Sequence, residues 1–183
     1  IACENMKYAS TYLYEKVKPL LTPDELKHCQ DVLAFADAEV SRMAMPITDE
    51  NPLTVKVEEY KEWIIDKRNL KDDLSHIQGL ELTDNPAAFI NRKIYTLTGH
   101  AMVGYLGFQK GYTYIYEAAH DDEIYKKVTR ALIESGRGWA REYGMLEEDF
   151  FEYSSVMLRR FADIRLKDPI HRVCREPLRK LSP

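Results

Sequence analysis

Phe89-Ile90-Asn91-Arg92-Lys93-Ile94-Tyr95-Thr96-Leu97-Thr98-Gly99-His100-Ala101-Met102-Val103-Gly104-Tyr105-Leu106-Gly107 is the stretch on which the fold turns. Phe89, Ile90, Ile94, Leu97, Ala101 and Tyr105 recur at three- and four-residue steps, the period of a helix with one face in a core. Just upstream, Thr83-Asp84-Asn85-Pro86 supplies a start signal, and Gly107 closes the pattern. Polar residues fall on a second stripe, because positions seven apart lie almost directly above each other, so Lys93, Thr96 and His100 form a row. Gly99 and Gly104 interrupt the helix interior, where each costs about 1 kcal/mol relative to alanine. Their presence predicts close approach by a ligand or by another helix.

Working outward, a second helix is expected over 122–142, with Ile124, Val128, Leu132, Ser135 and Trp139 on one side and Gly144 as its stop, and a third over 147–161. Upstream lie an aromatic-rich helix over 8–18 and a short one reaching about residue 30. The second of these is announced by Thr22-Pro23-Asp24-Glu25, with an N-cap, a proline in the first turn and a capping-box glutamate. Between residues 32 and 57 the character changes. Val32-Leu33-Ala34-Phe35, the stretch 40–45 and Leu53-Thr54-Val55-Lys56-Val57 are short, β-leaning and separated by turn residues such as Asp49-Glu50-Asn51-Pro52. The expected class is mainly α with a small antiparallel β-sheet.

Composition narrows the function. The 183 residues are 45% hydrophobic, as in an ordinary globular chain, and their 26 basic and 30 acidic residues leave a net charge of −4 with no basic field for nucleic acid or anionic lipid. Cys3, Cys29 and Cys174 are odd in number, far apart and form no C-x-x-C pair, which argues against a disulfide framework and a structural zinc site and fits a cytoplasmic setting. His28, His76, His120 and His171 have no metal-ligand spacing, so no metal is expected. Tyr112, Tyr114 and Tyr116 lack the basic interleaving of a stacking platform for nucleic acid. No window reaches the roughly 20 apolar residues of a membrane span. Starting at Ile1 and stopping after a basic cluster, the chain reads as a piece of a longer protein.

Arg92-Lys93-Ile94-Tyr95-Thr96-Leu97-Thr98-Gly99-His100-Ala101, with Tyr105-Leu106-Gly107 after it, resembles the active-site helix of the mannitol-1-phosphate 5-dehydrogenases, which belong to the polyol-specific long-chain dehydrogenases. Further stretches resemble the family in the same order. They include Ile1-Ala2-Cys3-Glu4-Asn5-Met6, Glu62-Trp63-Ile64-Ile65-Asp66-Lys67, Gly79-Leu80-Glu81-Leu82-Thr83-Asp84-Asn85, Glu134-Ser135-Gly136, Arg172-Val173 and Pro177-Leu178-Arg179-Lys180-Leu181. The resemblance implies an NAD-dependent oxidoreductase of mannitol metabolism that interconverts mannitol 1-phosphate and fructose 6-phosphate without a metal. It implies Lys93 as general base, His100 orienting the substrate oxygen, and Asn5 donating a hydrogen bond to that oxygen. Arg160 and Lys167 match a segment that contacts substrate hydroxyls, and Arg172, Arg175, Arg179 and Lys180 are candidates for holding a phosphate.

For the fold, the resemblance implies an all-α substrate domain of the 6-phosphogluconate-dehydrogenase C-terminal type. The expected division is 1–31 as the end of a nucleotide-binding domain with connecting helices, 32–81 as a small β-rich segment, and 82–183 as an incomplete helical substrate domain. No G-x-G-x-x-G follows a strand, so the nucleotide-binding Rossmann domain itself is expected to be absent, with NAD bound mainly outside this chain and the fragment inactive alone. The family's helix reads lysine, four residues, asparagine, two residues, histidine; here the asparagine is missing and one residue with it. A one-residue deletion turns everything downstream by about 100°, so either a local irregularity restores the phase or the pocket differs. Ser41 also stands where the family commonly has aspartate. Alternatives within the class are a mannitol 2-dehydrogenase or tagaturonate reductase type; a non-catalytic homologue is the alternative outside it.

Overall fold

The structure, a computed structural model, describes residues 1–3, 6–45 and 51–178. The chain forms two compact units, Ile1–Ile90 and Asn91–Pro183. Among the described residues no helix is long and apolar enough to cross a membrane.

The first unit opens with helix α1 (Ala9–Val17), a 3₁₀ turn (Lys18–Leu20) and α2 (Pro23–Val32). The start of α2 follows its sequence signal closely. Thr22 Oγ1 accepts from the Glu25 amide, and the Glu25 carboxylate accepts from the Thr22 amide at 2.8 Å, so two of the unpaired donors at the helix start are satisfied reciprocally. Among the described residues five short strands follow: β1 (Ala38–Ser41), β2 (Ala44–Met45), β3 (Lys56–Val57), β4 (Glu62–Asp66) and β5 (Glu81–Thr83). Residues 33–35 are not a strand; β4 lies inside the segment 32–81 expected to be β-rich, though outside its named runs, and β5 starts at the end of that segment.

The sheet differs from expectation in direction. β2 and β3 pair antiparallel, but the larger sheet has the order β1-β4-β5 and is mixed, with β1 antiparallel to β4 and β4 parallel to β5. A purely antiparallel sheet is therefore incorrect. Short β-leaning runs carry no information on direction, and the link between β4 and β5 is long enough to bring the chain back to its starting edge. Central β4 explains its own position. Trp63-Ile64-Ile65 is a continuous apolar run, as suits a strand covered on both faces, and Ile64 and Ile65 are buried. At the strand ends, buried Asp37 accepts from the Thr11 amide and hydroxyl, tying α1 to the start of β1, while Asp66 is gripped by Arg68 through two side-chain bonds.

The second unit is helical: α3 (Pro86–Gln109) leads into it, followed by α4 (Ile115–Ala119), α5 (Asp122–Tyr143), α6 (Glu147–Phe161) and α7 (Ile170–Val173). Asp121 caps α5 by accepting from the amides of Glu123 and Ile124, and Gly144 ends it in the left-handed conformation at φ 64°. The predicted stripe of α5 is the buried one, with Ile124, Val128, Leu132 and Trp139 all inside. α6 crosses it where Gly136 leaves room for the Phe150 ring, and Trp139 and Phe150 meet at 5.6 Å between centroids.

α3 departs from its pattern. Of the predicted stripe Ile90 is buried, but Leu97 is exposed and Phe89, Ile94, Ala101 and Tyr105 are half-buried, whereas Arg92, Thr96, Gly99, Val103 and Gly107 are buried in steps of four, three, four and four. The buried face is thus the small and polar one. A Cβ added at Gly99 would come within 3.0 Å of Leu132 on α5, and one at Gly104 within 2.7 Å of Val173 on α7. Neighbouring side chains, not a ligand, fill the space those glycines leave.

Candidate active site

α3 is regular α-helix from Pro86 to Gln109, with no π or 3₁₀ segment among its residues. Lys93 and His100 are therefore seven positions apart on an unbroken helix, and the shortened spacing is not absorbed by an irregularity. Lys93 is half-buried. Thr96, between them, is buried and its hydroxyl donates to the Arg92 carbonyl at 3.0 Å.

His100 is held on two sides. Its ring stacks on Phe161 of α6, with centroids 4.7 Å apart and planes 20° from parallel. On the other, Nε2 lies 3.2 Å from Asp168 Oδ2, with side-chain exposures of 13% and 6%. The ring N–H does not align on the carboxylate well enough for a full hydrogen bond, so the contact is chiefly electrostatic. Arg172 closes the group, donating from Nε and Nη2 to the two Asp168 oxygens at 2.6 Å each. Burial alone would push the Asp168 carboxyl up, but His100 and Arg172 outweigh it and hold the group below the ordinary carboxylate range. The backbone here is pinned as well: the Ile115 amide donates to the Asp168 carbonyl and the Ile170 amide to the Thr113 carbonyl, both at 2.9 Å.

Arg160 and Lys167 sit one position before the residues of their segment that touch His100, namely Phe161 and Asp168. Arg160 directs Nη1 at the Met157 sulfur, 2.7 Å away, and Lys167 is exposed on a left-handed backbone at φ 42°. Asn5, Arg179 and Lys180 lie outside the described residues. Ser41 is buried at the end of β1. Sequence reasoning missed Asp168, Phe161 and Arg92, whose guanidinium lies buried 3.9 Å above the Tyr153 ring. A usable signal was the Asp168/Arg172 pair, opposite charges four apart at the start of a short helix. Cys3, Cys29 and Cys174 are free thiols, and no group of three His, Cys, Asp or Glu side chains among the described residues is placed to hold a metal ion.

Comparison with known proteins gives this geometry its context. The family model for the mannitol dehydrogenase C-terminal domain matches residues 85–183, and that for the mannitol dehydrogenase Rossmann domain matches residues 1–79. The chain is 39% identical over 184 aligned residues to the mannitol-1-phosphate 5-dehydrogenase of Anoxybacillus flavithermus (strain DSM 21510 / WK1), covering all of this chain and 48% of that protein. It thus spans about half the length of that relative. In fold it is similar to a crystal structure of D-sorbitol dehydrogenase in substrate-free form, with TM-score 0.73 and 18% identity over 91% of this chain and 36% of that one. It is also similar to the Pseudomonas fluorescens mannitol 2-dehydrogenase ternary complex with NAD and D-mannitol, with TM-score 0.71 and 19% identity over 94% and 38%.

The match at residues 1–79 overturns the expectation that the Rossmann domain is absent. That expectation rested on the missing glycine fingerprint, but the fingerprint marks only one βα turn of such a domain, and strands elsewhere in it carry no motif. Residues 1–79 are of that unmarked kind, and β4 within them pairs parallel with β5 just beyond. With models for both domains matching in order along the sequence, the chain belongs to the mannitol dehydrogenase family.

Proposed function

We propose that the full-length protein is an NAD-dependent, metal-independent oxidoreductase interconverting mannitol 1-phosphate and fructose 6-phosphate, with Lys93 as the general base. The observation that carries this reading is the helix face of α3, where a half-buried lysine and a histidine backed by a carboxylate share one row. The name of the 39% identical relative supports the choice of a phosphorylated polyol over mannitol itself. The glycine-rich turn that would cradle the NAD pyrophosphate is not among these residues, so holding NAD is a property assigned to the whole protein. NAD, when bound, supplies the hydride acceptor.

The steps assigned to this chain move and hold protons. A carbinol oxygen placed against α3 gives its proton to the amine of Lys93, and the same group returns it in the reductive direction. His100 orients that oxygen. Asn5 donates to it as charge develops, while Arg160 and Lys167 hold the neighbouring hydroxyls. A second reading, a homologue that binds without turnover, draws on the unbroken α3 with its missing asparagine, since loss of one preorganised donor costs about 10²- to 10³-fold.

The test supplies full-length protein with NAD and mannitol 1-phosphate and follows the absorbance of the reduced cofactor. Turnover that falls at least about 100-fold in Lys93→Ala, with folding intact, is the expected outcome. Cofactor binding without turnover in the parent protein supports the second reading; equal turnover in both proteins removes Lys93 from the mechanism.

A further inference from the structure

We propose that Asp168, clamped by Arg172, is a positioning residue that fixes the ring proton of His100 on Nε2 and so leaves Nδ1 as the acceptor for a substrate hydroxyl. Its catalytic consequence rests on the dehydrogenase reading above; its chemistry at the ring does not.

Nε2 faces a charged partner. A neutral imidazole carries one proton, and the nitrogen that holds it is chosen by the partner of that nitrogen. Here the partner is an ionised, almost fully buried carboxylate oxygen at 3.2 Å. A negative oxygen 3.2 Å from Nε2, with little solvent to screen it, repels a lone pair there and attracts an N–H even off the hydrogen-bond axis, so the Nε2-protonated form is the lower in energy. The alternative for Asp168, turning away, is closed off. Both its oxygens are engaged by the Arg172 fork at 2.6 Å, and its carbonyl receives the Ile115 amide. Phe161 blocks the ring from flipping by stacking along its face at 4.7 Å.

The consequence is directional. With Nε2 committed to Asp168, the neutral ring meets the substrate through Nδ1, which can only accept. A neighbouring substrate hydroxyl that donates to Nδ1 is held in place, which orients the reacting carbinol oxygen while leaving its single proton for Lys93.

The test labels full-length protein with ¹⁵N-histidine, assigns the His100 ring by comparison with His100→Gln, and reads the protonated nitrogen from long-range proton–nitrogen correlations. The expected result is an Nε2-protonated ring in the parent protein and a shift toward the other tautomer in Asp168→Asn. It is accompanied by a fall of about 10- to 100-fold in kcat with a smaller change in KM, and by partial recovery in Asp168→Glu. Arg172→Lys, which keeps the carboxylate and removes the fork, is the second variant should Asp168→Asn fail to fold; it moves the ring signals and kcat in the same direction by less. Ring signals that stay unchanged in every folded variant overturn the proposal. An Nε2-protonated ring that responds to Asp168→Asn in a protein with no turnover on any polyol phosphate upholds the assignment and removes the dehydrogenase reading instead.

Discussion

Two glycines of α5, two residues apart, are expected to respond oppositely to the same substitution. Gly136 and Gly138 both lie in the interior of α5, so replacing either by alanine gains about 1 kcal/mol of helix propensity. Their surroundings differ. A Cβ at Gly136 would stand 2.6 Å from Phe150 Cδ1 and 2.9 Å from Phe151 Cε1, about 1 Å inside a normal carbon–carbon contact. The Phe150 ring is fully buried against Trp139 and cannot swing to solvent. Overpacking of this kind costs about 1–3 kcal/mol. A Cβ at Gly138 would meet nothing within 4 Å. The propensity gain is common to both variants and cancels in their difference, leaving Gly138→Ala more stable than Gly136→Ala by the packing term alone. For a chain of this size that separates their thermal midpoints by about 2 to 12 °C. Differential scanning calorimetry on the two variants and their parent measures it. Equal midpoints in the two variants, or a more stable Gly136→Ala, would refute the close approach of α6 to α5 at this point.

Further outcomes follow from the caps. The amides of the first turn of α5, the Ile124 amide above all, together with the Lys110 ammonium hold the Asp121 carboxyl down at about 2, and Lys110 and Lys127 hold Glu123 there too. Both folded values lie below the ordinary ones of 3.8 and 4.5, so their stabilisation is complete above about pH 4.5 and is lost as pH falls toward 2. Asp121→Asn keeps the capping oxygen and removes the charge. Urea midpoints of that variant should fall less between pH 6 and pH 3 than those of the parent, and identical slopes would contradict the assignment. Thr22→Ala breaks the reciprocal pair with Glu25 and should cost about 1 kcal/mol, read as a lower urea midpoint with unchanged slope.

Much of this was legible in the residues themselves, for identifiable reasons. The buried side of α5, its Asp121 and Gly144 ends and the Thr22/Glu25 box depend on contacts within a few positions, which spacing encodes directly. The family, too, was readable from ordered short matches, and it was confirmed by models covering both domains. The Rossmann assignment failed for a related reason, because a domain was judged by a motif that occupies one turn of it. The parallel direction of β5 against β4 was not readable, since strand pairing is decided by which edges meet.

α3 marks the division most clearly. Sequence alone determined that a helix forms there and that Lys93 and His100 lie on one face of it, because 3.6 residues per turn is a property of the backbone. Which face would be buried was decided by tertiary structure. Gly99 and Gly107 let α5, α4 and α7 come closer on the small side than the bulk of Ile94, Leu97 and Tyr105 permits on the apolar side, and close packing favoured that side. The partner of His100 belongs to the same class of fact. Asp168 is distant in the chain, and only the fold that pins it between Ile115 and Arg172 brings its carboxylate to the histidine ring.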